Sequence, residues 1–208
     1  LGAKHKGKQA GTFGDIGVVS FYSDKTITTG EGGMLMTQDE ALHAKISLLR
    51  NQGRPNAGTF IHPSLGMNFR ITDIQAAIGR AQLKKFDAIY AAKVHKWNFY
   101  ANALKGVGDL RFMEVNKDSN LVAFRFPILS AHRDGIMKAM TDKGIQTRGF
   151  FYPMHLQPKL RSEPAANLVN CEMLYAQGQC LPIHFQLQDS DLQFICDTIK
   201  DYFKTHKG

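Results

Sequence analysis

The chain has 208 residues, 43% hydrophobic and 21% charged, which is enough apolar material for one ordinary domain or two small ones. It contains no run of about 18 or more uncharged apolar residues, and Leu1-Gly2-Ala3-Lys4 lacks the layout of a signal peptide, so no membrane span is expected and the expected compartment is the cytoplasm. The formal net charge is +8, but the lysines and arginines are scattered and not interleaved with stacking aromatics; this argues against a nucleic-acid partner and for a solvated surface with sites for anionic substrates.

Cys171, Cys180 and Cys196 form neither a Cys-x-x-Cys pair nor an even-numbered framework, which suits a reducing compartment and a role as small buried hydrophobes. The histidines have no metal-ligand spacing. There is no initiator methionine, and the apolar run from Gly17 to Tyr22 reads as a buried strand, so the sequence is expected to begin inside a domain.

In chain order, the basic stretch Lys4 to Gly14 reads as a loop and Ile16 to Tyr22 as a β-branched strand. Ser23 to Gly33, with its glycines and threonines, is a turn-rich connection to a second short strand at Met34 to Thr37. Asp39 caps a predicted helix to about Asn51, with Leu42, Ile46 and Leu49 at helical spacing and Gly53 as its stop. An irregular loop runs from Asn51 to Gly66. A long helix then starts at Thr72 or Asp73 and continues towards Leu104, with a break expected near Phe86-Asp87. After Gly106-Val107-Gly108 the pattern changes to strands at Leu110 to Val115 and Leu121 to Ile128, a helix at Ala131 to Lys143 and a strand at Ile145 to Phe151. Pro153, Pro158 and Pro164 mark a loop; a helix at Ala165 to Gln177, a strand at Cys180 to Ile183 and a helix at Asp189 to Phe203 complete a small α/β domain.

The chemically informative segment is S-F-Y-S-D-K-T-I-T-T-G-E-G-G-M, residues 20 to 34. A lysine between a strand and a glycine-rich turn is a phosphate-binding cation, a Schiff-base amine or a surface charge, and spacing does not choose among them. Burial near strand ends would lower its pKa, and only the neutral amine condenses with an aldehyde. Gly30, Gly32 and Gly33 permit positive φ and close approach of backbone N–H groups to an anion, with Ser20 and the threonines as hydroxyl donors. This is not a Walker-type phosphate loop.

That segment resembles the active-site lysine motif of the DegT/DnrJ/EryC1/StrS sugar aminotransferases. G-T-F-G-D-I-G-V-V-S-F precedes the lysine as in that family, G-M-N-F-R-I-T-D-I-Q-A-A-I-G-R-A-Q-L at 66 to 83 resembles its next hallmark, and G-I-Q-T-R-G-F-F-Y-P-M-H-L-Q-P at 144 to 158 a third. L-P-I-H at 181 to 184 is similar to a fourth, and the matches are collinear over essentially the whole chain. Within the family, K-T-I-T-T-G-E-G-G-M together with H-R-D-G and F-F-Y-P-M-H is most similar to members that aminate a GDP-linked 4-keto-6-deoxy-mannose.

The resemblance implies an α/β, aspartate-aminotransferase-like fold of pyridoxal-phosphate fold type I. Residues 1–105 would be the C-terminal part of the large cofactor-binding domain, with its mixed, mainly parallel sheet and a long connecting helix; 106–208 would be the small C-terminal domain. It implies pyridoxal 5'-phosphate as cofactor, with Lys25 forming the Schiff base and moving the substrate proton, and Ser20 bonding the phosphate. Asn68 would reach the phosphate of the neighbouring subunit in a homodimer with a shared active site. Arg70 would bind the sugar nucleotide's diphosphate, and Tyr152 and His155 would border the substrate pocket. The implied substrates are glutamate and a nucleotide-diphosphate keto sugar. Each residue also has a plainer reading: a solvated lysine, a strand-end hydroxyl, an Asn capping its own turn, a structural ion pair for Arg70, a packed Tyr and a satisfied loop His. Alternatives at the level of the whole chain are a pyridoxamine-dependent dehydratase, disfavoured because that group carries histidine at the position of Lys25, and a regulatory or incomplete protein on the same fold.

Overall fold

The computed structural model describes residues 1–56, 58–160 and 167–206. The chain divides into two compact units, one of residues 1–90 with 116–122 and one of 91–115 with 123–208. The division falls inside the long helix, whereas the glycine punctuation at 106–108 marks where that helix has ended.

In the first unit the stretch expected to be a plain loop forms a small antiparallel hairpin, β1 (Lys4–His5) and β2 (Lys8–Gln9). Lys6 and Gly7 both have positive φ, as a primed two-residue turn requires. The next strand, β3 (Gly17–Ser20), pairs antiparallel with β4 (Gly33–Met36), Ser20 opposite Gly33. The buried strand anticipated from the sequence is corrected here: Val18 is 71% exposed, because β3 and β4 form a two-stranded sheet among the described residues. What is buried instead is the connection between them, through Ile27 and Thr29.

Helix α1 (Glu40–Arg50) starts as its sequence dictates, the Asp39 carboxylate accepting from Leu42 N at 2.9 Å. The chain leaves it through Gly53, whose φ of +73° carries the backbone so close to the Ser64 carbonyl that no side chain would fit. This apposition closes the neck of the 51–66 loop. Helix α2 (Asp73–Lys84) begins with a complete capping box between Thr72 and Gln75, and the break expected near Phe86 occurs at Lys85, where α3 (Phe86–Ala103) follows. Neither α1 nor α2 buries a residue, so their apolar stripes, including Leu49 and Ile74, remain open.

The second unit is built on a four-stranded sheet in the order β5-β6-β8-β7, all pairs antiparallel: β5 (Arg111–Phe112), β6 (Phe126–Leu129), β7 (Arg148–Gly149) and β8 (Gly178–Leu181). The strands are shorter than the apolar runs suggested. Helix α4 (Arg133–Asp142) precedes β7, a 3-10 turn covers Met154–Leu156, α5 (Val169–Gln177) runs directly into β8, and α6 (Asp189–Thr205) ends the described chain. Pro164 and the expected start of α5 at residues 165–166 lie outside the described residues.

The core of this unit gathers around Phe126, fully buried, with Trp97, Tyr100 and Phe112 at ring distances of 4.8, 5.1 and 5.5 Å. Burying a side chain of this size contributes about 1.5–3 kcal/mol. Ile136 and Met140 of α4 and Leu192, Ile195, Cys196 and Ile199 of α6 complete it, and the Tyr100 hydroxyl donates to the Pro182 carbonyl at 2.8 Å. No helix among the described residues is long and apolar enough to cross a membrane.

Candidate active site

Ser20 and Lys25 share one short piece of backbone. Ser20 closes β3, and its hydroxyl oxygen accepts from Tyr22 N at 3.3 Å; the Tyr22 carbonyl in turn accepts from Lys25 N at 3.0 Å. Accepting through its oxygen leaves the Ser20 O–H to donate to a ligand. The rest of the turn is laced by threonines: Thr28 Oγ1 donates to the Phe21 carbonyl at 2.9 Å and accepts from Gly30 N at 2.9 Å, while Thr29 Oγ1 donates to the Glu31 carbonyl at 2.7 Å. Gly32, at φ +150°, leaves no room for a Cβ beside Thr29. The Lys25 side chain is 38% exposed, with Asp24 Oδ1 3.6 Å from its amine, so it is reachable by a ligand and not buried as the strand-end argument anticipated.

Asn68 and Arg70 are brought together elsewhere in the first unit. Arg70 Nε donates to Asn68 Oδ1 at 3.1 Å and Arg70 Nη1 to Asn51 Oδ1 at 3.1 Å. Asn51 also donates from Nδ2 to the Arg54 carbonyl at 3.1 Å. The structural ion pair considered for Arg70 is absent among the described residues, since both partners are neutral amides. Asn68 does not cap its own turn either, its oxygen being taken by Arg70. No hydrogen bond of Asn68 or Arg70 reaches the 20–33 turn among the described residues.

Tyr152 and His155 belong to the second unit and are fixed side by side on α5. The Tyr152 ring meets Tyr175 edge-on at 5.3 Å, and His155 Nε2 lies 3.0 Å from Glu172 Oε1.

The model of the DegT/DnrJ/EryC1/StrS aminotransferase family matches residues 1–200 of this chain. The chain belongs to that family. Two relatives named GDP-perosamine synthase are similar to it: that of Caulobacter vibrioides is 36% identical over 198 residues, covering 92% of this chain and 53% of the relative, and that of Vibrio cholerae is 34% identical over 212 residues, covering 98% and 57%. Among solved structures, Helicobacter pylori PseC, an aminotransferase involved in the biosynthesis of pseudoaminic acid, superposes with a TM-score of 0.91 at 27% identity, covering 99% of this chain and 58% of that one. The aminotransferase TlmJ of Streptoalloteichus hindustanus gives 0.92 at 25%, covering 99% and 57%. The chain thus spans about half the length of the relatives it matches.

These neighbours have the aspartate-aminotransferase-like α/β architecture expected from the sequence. The cofactor of the DegT/DnrJ/EryC1/StrS family is pyridoxal 5'-phosphate, and the residues of the 20–33 turn fit it: a reachable amine for its aldehyde, a strand-end hydroxyl free to donate to its phosphate, and glycines that clear the approach. Asn51, Gln75 and Glu172 were not singled out from the sequence. Gln75 Nε2 donates to the Glu31 carbonyl at 3.1 Å and so ties α2 to the lysine turn. Its place three residues after Thr72 was the available signal. Glu31 serves through this carbonyl, which also accepts from Thr29, and its side chain is not needed for either bond. Among the described residues no group of three or more potential metal ligands is present.

Proposed function

We propose that this chain forms part of a pyridoxal-phosphate aminotransferase that transfers an amino group from glutamate to the C4 ketone of a nucleotide-linked 4-keto-6-deoxy sugar, as in perosamine synthesis for surface polysaccharides such as O-antigen. The observation that carries the reading is the Lys25 turn: an accessible amine and the Ser20 hydroxyl joined through the Tyr22 backbone and braced by glycines and threonines. The names of the relatives at 34–36% identity support the choice of sugar.

In this reading Lys25 holds the cofactor and moves a proton at Nζ, and Ser20 donates its O–H to the cofactor phosphate. Bound pyridoxal phosphate supplies the electron sink for the transfer. Asn68, on a segment where Phe60, Leu65 and Phe69 stand open, turns towards the phosphate of a neighbouring subunit, so that the working form is a homodimer with shared sites. Arg70 meets the diphosphate, and Tyr152 and His155 line the sugar pocket. Residues 1–105 are assigned to the end of the cofactor-binding domain and 106–208 to the small domain, and the three free thiols suit the cytoplasm.

The test is to add pyridoxal phosphate, follow its absorbance, reduce with borohydride and map the labelled peptide. The expected result is a single adduct on Lys25, followed in the whole protein by glutamate-dependent amination of GDP-4-keto-6-deoxy-mannose in preference to UDP-linked ketoses. Random lysine labelling would sink the cofactor assignment; specific labelling without amination of any keto sugar would favour a binding or regulatory protein on the same fold.

A further inference from the structure

We propose that Glu172 is a positioning residue for His155, holding the imidazole with its proton on Nε2 so that Nδ1 is offered as a hydrogen-bond acceptor to a hydroxyl of the sugar substrate. This rests on the reading that the 152–155 segment borders the sugar pocket.

His155 Nε2 and Glu172 Oε1 are 3.0 Å apart, and the two residues are 17 apart in sequence. The exposures are unequal: the histidine side chain is 10% exposed and the glutamate 47%. An ionised carboxylate only accepts hydrogen bonds, so the nitrogen facing it must carry the proton. In the neutral ring the other nitrogen is then an acceptor, and among the described residues Nδ1 has no hydrogen-bond partner. The ring is therefore enclosed, pinned at one nitrogen and uncommitted at the other.

The support behind Glu172 is firm. Glu172 and Tyr175 are three residues apart, hence on one face of α5, and each holds one side chain of the Tyr152-Pro153-Met154-His155 segment. Helix α5 is itself fixed by Arg133 Nε donating to the Ala176 carbonyl at 3.1 Å, and by Arg111 Nη2 donating to Gln177 Oε1 at 2.6 Å. Its last residue leads directly into β8, an interior strand of the sheet. Glu172 thus transmits the position of a sheet-anchored helix to a loop histidine. Orienting partners of this kind alter what a histidine presents, and not only how firmly it is packed.

Long-range nitrogen–proton NMR of the full chain, labelled at histidine, reads the tautomer directly. The expected wild-type spectrum has His155 protonated at Nε2, with Glu172→Ala giving a mixture of the two forms; His155 protonated at Nδ1 in the wild type, or a tautomer that Glu172→Ala leaves unchanged, overturns the proposal. In the whole protein Glu172→Ala is expected to raise the KM for the keto sugar about 10-fold with kcat little changed, and Glu172→Gln, which keeps an acceptor oxygen, to stay within about twofold of the wild type. A shifted tautomer with an unmoved KM would show that Glu172 sets the ring but that no sugar hydroxyl meets it, which overturns the substrate half of the proposal. If Glu172→Ala fails to fold, Glu172→Leu, which fills the same space but offers no acceptor oxygen, is read in the same two ways: a mixed tautomer with a raised KM is expected, and an unchanged tautomer or KM overturns the proposal. Specific cofactor labelling of Lys25 is independent of all these outcomes, so its failure would be recognised separately.

Discussion

Arg70 is held to Asn51 by a 3.1 Å hydrogen bond from Nη1 to the Asn51 side-chain oxygen, across 19 residues of chain. With Asn68 on its Nε, the guanidinium is oriented by amides while its positive charge is left uncompensated by a carboxylate among the described residues. The surrounding sequence agrees, since no acidic residue occurs between Ala41 and Thr72.

Arg70→Ala is therefore expected to weaken binding of a nucleoside diphosphate sugar by roughly 10- to 100-fold, the worth of hydrogen bonds from a charged group. Asn51→Ala should lose less, because Asn68 still holds one edge, and Arg70→Lys should restore little because an ammonium lacks the planar fork. Titration calorimetry on the three variants checks the order.

Replacement of Lys25 separates its charge from its chemistry. Lys25→Arg retains a cation beside Asp24 but offers no condensing amine, so turnover should fall by about 10³-fold while the melting temperature barely changes. A variant with more than a tenth of wild-type turnover would point to another lysine; steady-state assays with a borohydride trap distinguish the cases.

Gln75 joins two structures through opposite ends of one side chain: Oε1 accepts from Thr72 N at 2.9 Å, and Nε2 donates to the Glu31 carbonyl at 3.1 Å. Gln75→Glu keeps the first bond and forfeits the second, so the helix start should persist while cofactor affinity falls. Gln75→Ala loses both while Thr72 still caps the helix through the backbone N–H of residue 75, and should also reduce stability by about 1 kcal/mol, the usual net worth of one hydrogen bond. Urea denaturation and a cofactor titration on the two variants read the two effects apart.

Burial lowers the Lys93 amine to about 8, with Arg125 and Lys96 adding repulsion, and its Nζ donates to the Phe124 carbonyl at 3.2 Å. A folded-state pKa below the unfolded value means that the fold prefers the neutral amine. The associated stability is complete above the unfolded value and is lost as pH falls through about 8. Stability of the wild type relative to Lys93→Met should therefore rise between pH 8 and pH 10.5, as measured by denaturant midpoints across that range.

The sequence was most readable where one local rule governs a segment. Asp39 and Thr72 cap helices because their side chains reach backbone N–H groups three residues on, a relation contained within four residues. The β1–β2 hairpin escaped notice because two-residue strands of Lys, His and Gln carry no apolar alternation, leaving Lys6-Gly7 as the one clue. The exposure of β3 was unreadable for another reason: an apolar run reports that a surface prefers to be covered, not what covers it. At the candidate site, Lys25 and Ser20 were legible as a contiguous motif, whereas Asn51, Gln75 and Glu172 act on partners 17 to 44 residues away, and no spacing rule connects them.

The Lys25 turn rides on the β3–β4 pair, a two-stranded ribbon of four residues a side with an open face. Such a ribbon is marginal by itself. A molecule that engages Lys25 and Ser20 together would act as a clasp across its open end, and by mass action its binding free energy becomes stability of the ribbon. Amide exchange at Val19 and Met34, which face each other as a hydrogen-bonded pair of the ladder, should then slow in step with cofactor saturation. In this part of the molecule, being loaded and being folded are one equilibrium viewed from two sides.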